Sequence, residues 1–159
     1  MKVQDLMTRA VASCRASEKA SAAAKTMWRR DCGALPVLDN DGRSLIGMIT
    51  DRDICMAALH QGKSLAEMSV AAAMSHDPLT CRPEDDAADA GRRMSQRQVR
   101  RLPVVDAQGR CVGVLSINDL ANAVTAPAAS RPGTRLTENE VARTLAAVSQ
   151  HRSTMSDHA

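Results

Sequence analysis

The sequence predicts an α+β fold of two tandem β-α-β-β-α units, followed by a separate C-terminal helix. Three observations predict it. Shifting the chain by 67 residues superposes Met7 on Met74, Cys14-Arg15 on Cys81-Arg82, Met27 on Met94, and "LPVLD" (35–39) on "LPVVD" (102–106). Beyond a one-residue deletion the offset becomes 66, and Gly47, Thr50 and Asp53 meet Gly113, Ser116 and Asp119. After Ala126 the texture changes to "PAASRPGT", a linker composition, and then to an amphipathic stretch.

Each unit opens on a short extended stretch, "AVASC" (10–14) or "DPLTC" (77–81). A helix follows. Ala20, Ala23, Ala24 and Met27 fall at i, i+3, i+4 and i+7, a single buried stripe, and Ala87, Ala90, Gly91 and Met94 repeat it. These small residues suit close approach to a sheet or a neighbouring helix. "ALPVLD" and "RLPVVD" read as strands whose proline favours an edge or an end. "NDG" and "AQG" supply hairpin turns, and "SLIGMI" and "CVGVL" the return strands. Second helices start at Thr50 and Ser116, the first ending at Gly62. Ser64 and Glu67 form a capping box for a linking helix running to about Met74. A C-terminal helix opens at the Thr137/Glu140 capping box, with Val141, Leu145 and Val148 as its apolar face and Ala142 and Ala146 beside it. The last residues, "STMSDHA", read as a flexible tail. The expected organisation is repeat 1 over 1–66, repeat 2 over 67–126, and linker, helix and tail over 127–159.

Composition narrows the function. The 159 residues are 44% apolar, enough for a core, yet they include no Phe or Tyr and a single Trp, Trp28. Base stacking on aromatic side chains therefore has almost nothing to work with. The charge, +3 from 21 basic and 18 acidic residues, is too mild for a nucleic-acid or membrane surface. "RQVRR" (97–101) reads as a solvated helix end beside acidic "EDD". The N-terminus has no apolar signal core and no run approaches a membrane span. Five cysteines without a C-x-x-C pair fit reduced thiols in a cytoplasm. Cys14 and Cys81 occupy equivalent strand ends and read as small buried hydrophobes. The four histidines are scattered, and no Cys/His cluster reads as a metal site. No nucleophile elbow, phosphate loop or H-E-x-x-H occurs, so catalysis is not expected. Trp28, one residue past the buried Met27, should be partly exposed; it suits a subunit contact or the covering of a helix.

The repeated phrase "GMITDRDI" (47–54) and "GVLSINDL" (113–120) carries the chemistry. [ST]-x-x-D before an apolar run is a helix-cap signature, and taken singly each instance reads as a cap. Three features favour a site. The phrase recurs at matching places; glycine and a buried strand precede it both times; and a helix N-terminus offers free N–H groups to an anion, while an Asp there can take two hydroxyls.

These motifs, with "DLMT" (5–8), "AAMS" (72–75), "CGALPVLDNDG" (32–42) and "VRRLPVVDAQG" (99–109), resemble a CBS domain, twice over. The chain is similar to a stand-alone bacterial CBS pair, or Bateman module, over about residues 3–124. The resemblance implies two repeats related by a pseudo-two-fold axis with two clefts that take adenosine derivatives. Carried onto this sequence, it implies that Asp53 and Asp119 take the ribose hydroxyls and that Thr50 and Ser116 lie near ribose or phosphate. It implies further that Val11 and Pro78 begin the strand whose backbone reads adenine, and that Gly33, Ala34 and Pro36 flank the base. Arg100 and Arg101 stand where some members contact phosphate, whereas repeat 1 has Gly33-Ala34 there. Arg52, on the first turn of its helix, is either a phosphate contact or a solvated arginine. The expected function is regulatory: a cytoplasmic homodimer, associating through the helices of both repeats, that senses AMP, ADP or ATP (S-adenosylmethionine or NAD being alternatives) and modulates a partner protein. The alternative is an interaction scaffold that binds no ligand.

Overall fold

The computed structural model describes residues 1–125 and 136–150; the expected linker (127–134) and tail (153–159) lie outside the described residues. Strands β1 (Cys14–Arg15), β2 (Ala34–Leu38), β3 (Leu45–Thr50) and β4 (Ser75–His76) form one sheet in that order, and β5 (Arg101–Val105) pairs with β6 (Cys111–Ser116). Helices α1 (Ala20–Arg30) and α2 (Asp51–Gln61) belong to the first repeat, α3 (Ala87–Arg97) and α4 (Ile117–Thr125) to the second, and α5 (Glu138–Ser149) follows. The mixed α+β class and the tandem repeats are as the sequence predicts.

Backbone conformation repeats with the sequence. Asp31 and Gln98, 67 residues apart, end α1 and α3 in the left-handed region, at φ 49° and 50°. Ala10 and Asp77 are left-handed at 50° and 47°. The hairpin glycines Gly42 and Gly109 stand at 74° and 77°, where a side chain is strained. Gly62 ends α2 at φ 61°, as expected of a C-terminal cap.

The chain forms two compact units, and they do not follow the repeats. One holds Thr8–Arg82 with Pro103–Val114; the other holds Met1–Met7, Pro83–Leu102 and the chain from Leu115. The reason is a reciprocal exchange of leading segments. In the second unit, Val3 donates its N–H to Asp85 O (2.9 Å) and Ala87 to Met1 O (3.0 Å), so the chain's first turn packs at the start of α3. In the first unit, Val70 donates to Glu18 O (2.8 Å) and Ala20 to Met68 O (2.9 Å), the same bonds 67 residues on. Each leader then crosses a hairpin: Ser75 pairs with Met48 on β3, and Thr8 with Val114 on β6.

This exchange corrects the expected linking helix. Ser64 and Glu67 do bond, Ser64 N to Glu67 Oε2 at 3.0 Å and Ser64 Oγ to the same oxygen at 2.6 Å, but only a turn results, followed by a 3-10 turn at Val70–Ala72. The Met68 carbonyl and the Val70 and Ala71 N–H groups are already engaged by Ala20, Glu18 and Ala16, so no helix propagates. The first strands are also shorter than expected, because only Cys14 and Arg15 reach β2, in parallel.

Pro36 departs from its expected place. It lies in β2, between β1 and β3, and is fully buried. Its counterpart Pro103 shows how the ladder tolerates it: the Pro103 carbonyl takes the Cys81 N–H at 3.0 Å. The ring nitrogen, on the same side, faces the chain before Cys81, where pairing has not begun, so the missing N–H costs no bond.

In the first unit the core is aliphatic: Ala20, Ala23 and Met27 of α1 pack with Leu35, Val37, Ile49, Ile54, Met68 and Val70. Cys14 and Cys81 are buried as expected, each thiol lying 3.9 Å from the carbonyl of Pro36 or Pro103. In the second unit, α5 packs across α3 and α4. Its buried face is Val141, Thr144 and Val148, not Val141, Leu145 and Val148: Leu145 is 51% exposed. The residue Thr144 meets is Gly91 on α3. Lacking a side chain, it admits the Thr144 hydroxyl, which donates to the Gly91 carbonyl at 3.5 Å and the Glu140 carbonyl at 2.9 Å. A helix rotated to bury Thr144 turns Leu145 outward.

Candidate functional site

Strand β3 delivers Thr50 to the start of α2 as its N-cap, in an extended conformation. Thr50 Oγ1 accepts the Asp53 N–H at 3.0 Å, and Asp53 Oδ2 accepts the Thr50 N–H at 2.9 Å. Strand β6 delivers Ser116 to α4 in the same way. The Ser116 N–H donates to Asp119 Oδ2 at 2.7 Å, the hydroxyl donates to that oxygen at 2.7 Å, and Asp119 N–H donates to Ser116 Oγ at 3.2 Å. Both motifs are therefore reciprocal capping boxes. Each uses one carboxylate oxygen. The other, Oδ1, takes no hydrogen bond from a described residue in either repeat, and both aspartates are half-buried. Capping thus engages one oxygen of each carboxylate and leaves the other outside the box.

The glycine that opens the first phrase answers to packing. A Cβ on Gly47 would lie 2.7 Å from the Ser75 carbonyl and 3.1 Å from the Met74 sulfur. The close crossing of β4 over β3 excludes any side chain there. Pro78, two residues past β4, follows a strand antiparallel to β3, so the chain there runs away from Thr50 and is not brought to it by this ladder.

The flanking residues meet at the hairpin ends. Ala34 is the cross-strand partner of Thr50, and Pro36 that of Met48. The Asp51 N–H donates to Gly33 O at 3.2 Å, and Ile117 N–H to Arg100 O at 3.0 Å, the same bond in the second repeat. Around this common backbone the side chains diverge. In repeat 1 the Asp51 carboxylate lies over Gly33, 3.2 Å from where a Cβ would stand. In repeat 2 the buried Ile117 replaces Asp51, and Arg100, exposed, and Arg101, half-buried, replace Gly33 and Ala34. Beside this bond repeat 1 places an acidic side chain, with Arg52 next to it, and repeat 2 places two basic ones. Arg52 is exposed on the first turn of α2, and Val11 follows the left-handed Ala10, three residues ahead of β1. Asp51 is not among the candidate site residues read from the sequence, where its charge and that of Arg52 roughly cancel. Its signal was its place opposite a glycine in one repeat and its replacement by Ile, opposite an arginine, in the other.

A groove opens between α1 and α2 rather than at these carboxylates, and its lining includes Asp51 and Gly33 but not Asp53. Among the described residues no group of three or more His, Cys, Asp and Glu could hold a metal ion, and no helix is long and apolar enough to cross a membrane.

Duplicated β-α-β-β-α units with exchanged leaders and paired [ST]-x-x-D caps define a tandem-repeat class of α+β fold. The chain belongs to the CBS domain family, whose model matches residues 3–60 and again residues 69–126. CBS domain-containing protein YhcV of Bacillus subtilis (strain 168) is 37% identical over 119 residues, covering 75% of this chain and 82% of that protein. CBSX2, solved in complex with AMP, is similar with a TM-score of 0.69 at 27% identity, over 78% of this chain and 96% of that one. The CBS domain pair of protein MJ0100, solved with 5′-methylthioadenosine and S-adenosyl-L-methionine, matches with a TM-score of 0.69 at 25% identity, over 77% and 98%.

Proposed function

We propose that the chain is a cytoplasmic regulatory module that binds an adenosine-containing ligand, AMP, ADP or ATP first among them, and that it dimerises and modulates a partner protein. The observation that carries this reading is the second oxygen of Asp53 and of Asp119: the cap engages only Oδ2, which leaves Oδ1 to accept a ribose hydroxyl at a helix N-terminus. The ligands of CBSX2 and of the MJ0100 pair, AMP and S-adenosyl-L-methionine with 5′-methylthioadenosine, share the adenosine group and support the ligand class. The basic Arg100 and Arg101 favour phosphate in repeat 2, and Asp51 disfavours it in repeat 1, so the two motifs differ in the number of phosphates they accept. Ligand binding would rigidify the pair and shift how it meets its partner.

Thermal-shift measurements with AMP, ADP, ATP, S-adenosylmethionine and NAD test it. A ligand at a hundred times its dissociation constant stabilises by about 2.7 kcal/mol. A second reading, a scaffold without ligand, is favoured by the closure of both capping boxes on themselves; absence of any shift across the series would establish it over the first.

A further inference from the structure

Helix α5 reaches repeat 2 on both flanks of its candidate site. On one flank, Leu120 Cδ1 and Thr144 Oγ1 lie 3.3 and 3.5 Å from where a Cβ of Gly91 would stand. A methyl of α4 and the hydroxyl of α5 thus border one gap on α3. Leu120 is fully buried and directly follows Asp119. On the other flank, the Gln98 side-chain amide donates to the Ala147 carbonyl of α5 at 3.4 Å. Gln98 is the left-handed residue, at φ 50°, that turns the chain out of α3 toward Arg100 and Arg101. The Arg100 carbonyl in turn accepts the Ile117 N–H, in the first turn of α4, at 3.0 Å.

We propose that α5 is a positioning element for the Asp119 site. Docked, it holds the first turn of α4 and the Arg100–Arg101 segment in place, and a nucleotide bound there strengthens the docking in return. The inference rests on the reading that Asp119 takes a ribose hydroxyl. Three observations carry it. The residues that make both contacts, and the Ser116/Asp119 box itself, lie in one compact unit. Thr144 is, among the described residues, the one buried polar residue, and a buried hydroxyl must keep its partners, so its reach to Gly91 ties α5 to one position on α3. Finally, the sequence does not repeat the arrangement. In repeat 1 the places of Gly91 and Gln98 are taken by Ala24 and Asp31, which offer neither the missing side chain nor the amide. The Asp119 site therefore answers to α5, and the Asp53 site does not. The coupling is reciprocal: what docked α5 adds to binding, binding adds to docking.

Calorimetric titration of AMP and ATP into the full chain tests it. Each α5-loosening substitution is placed in Asp53→Asn, which leaves the Asp119 site, and in Asp119→Asn, which leaves the other. Val148→Asp lies on the buried face of α5, and Gln98→Gly keeps the left-handed turn but removes the amide. Each should weaken the Asp119 site at least about fivefold. The Asp53 site should keep its affinity. Amide exchange over residues 142–148 should slow when AMP is added to Asp53→Asn and should not change when it is added to Asp119→Asn, a response that a merely structural helix does not give. Unchanged affinity at the Asp119 site, with the α5 amides of Val148→Asp exchanging fast, overturns the proposal, as does an equal loss at both sites. If Val148→Asp does not fold, Gln98→Gly decides alone. If Asp53→Asn binds neither nucleotide, the ligand reading of Asp119 fails, and exchange alone tests the positioning. The Asp119 amide should then exchange faster in Val148→Asp than in the parent, with the Asp53 amide at the parent rate; a parent rate at Asp119 overturns it.

Discussion

Thr50 and Asp53 hold each other across the first turn of α2, each backbone N–H bonded to the other's side chain at 2.9–3.0 Å. Ser116 and Asp119 repeat the relationship on α4. The same four atoms that fix the helix start also fix where the second carboxylate oxygen points, so stability and the proposed binding are separable by choice of substitution.

Thr50→Ala and Ser116→Ala remove the hydroxyl acceptor and should each cost about 1 kcal/mol. For a domain of this size that is a fall in Tm of about 2–4 °C. Thr50→Ser should restore most of it. Differential scanning calorimetry of the three variants checks the prediction; equal Tm values would show that the caps carry no stability.

Two buried glycines should respond oppositely to alanine. At Gly47 the new Cβ meets the Ser75 carbonyl at 2.7 Å, a backbone atom of the crossing strand that cannot turn aside. Gly47→Ala should destabilise by about 1–3 kcal/mol, as overpacking does. At Gly91 the Cβ meets the Leu120 Cδ1 at 3.3 Å and the Thr144 Oγ1 at 3.5 Å. Leu120 can give by a few tenths of an ångström, and alanine in a helix interior gains about 1 kcal/mol over glycine, so Gly91→Ala should be close to neutral. Urea midpoints of the two variants give the comparison.

Burial, with a smaller contribution from the negative charge of Glu18, pushes the Cys14 thiol up to about 12 from its ordinary 9.0. The folded state therefore holds a proton that the unfolded chain gives up first. That contribution to stability is fully present below pH 9 and is lost as pH rises toward 12. Stability should decline above pH 9, and the decline should be shallower in Cys14→Ala, measured by urea unfolding between the two limits. A thiol reagent at neutral pH should label the exposed Cys55 while Cys14 and Cys81 stay unmodified.

What the sequence made legible was local. The alanine and methionine stripe predicts the buried face of α1, Gly62 predicts the end of α2, and Thr137 with Glu140 predicts the start of α5, because each of these signals acts within a few residues. The exchange of leaders was not legible: Val3 to Asp85 and Val70 to Glu18 are long-range backbone bonds with no side-chain signature. Missing it made the Ser64/Glu67 pair look like a helix start. The facing residue of α5 was hidden for a related reason, since Thr144 turns inward onto the Gly91 carbonyl, more than fifty positions away in the chain. Of the candidate site, the two [ST]-x-x-D caps and the basic character of Arg100 and Arg101 were readable. The placement of the Asp51 carboxylate over Gly33 required the fold.

The central claim is that Asp53 and Asp119 bind ligand with the oxygen the cap leaves over. Asparagine separates the roles, since its carbonyl oxygen can still accept the Thr50 or Ser116 N–H while the carboxylate's second acceptor and its charge are gone. Calorimetric titration of AMP and ATP into the parent, Asp53→Asn and Asp119→Asn proteins is the direct measurement. The account predicts that both variants keep the parent Tm to within about 1 kcal/mol of stability. It predicts that each loses at least about tenfold in affinity at its own site, the equivalent of one charge-assisted bond, with the two sites differing in their preference for ATP over AMP. Binding of parent strength in both variants, or no binding by the parent, would contradict it.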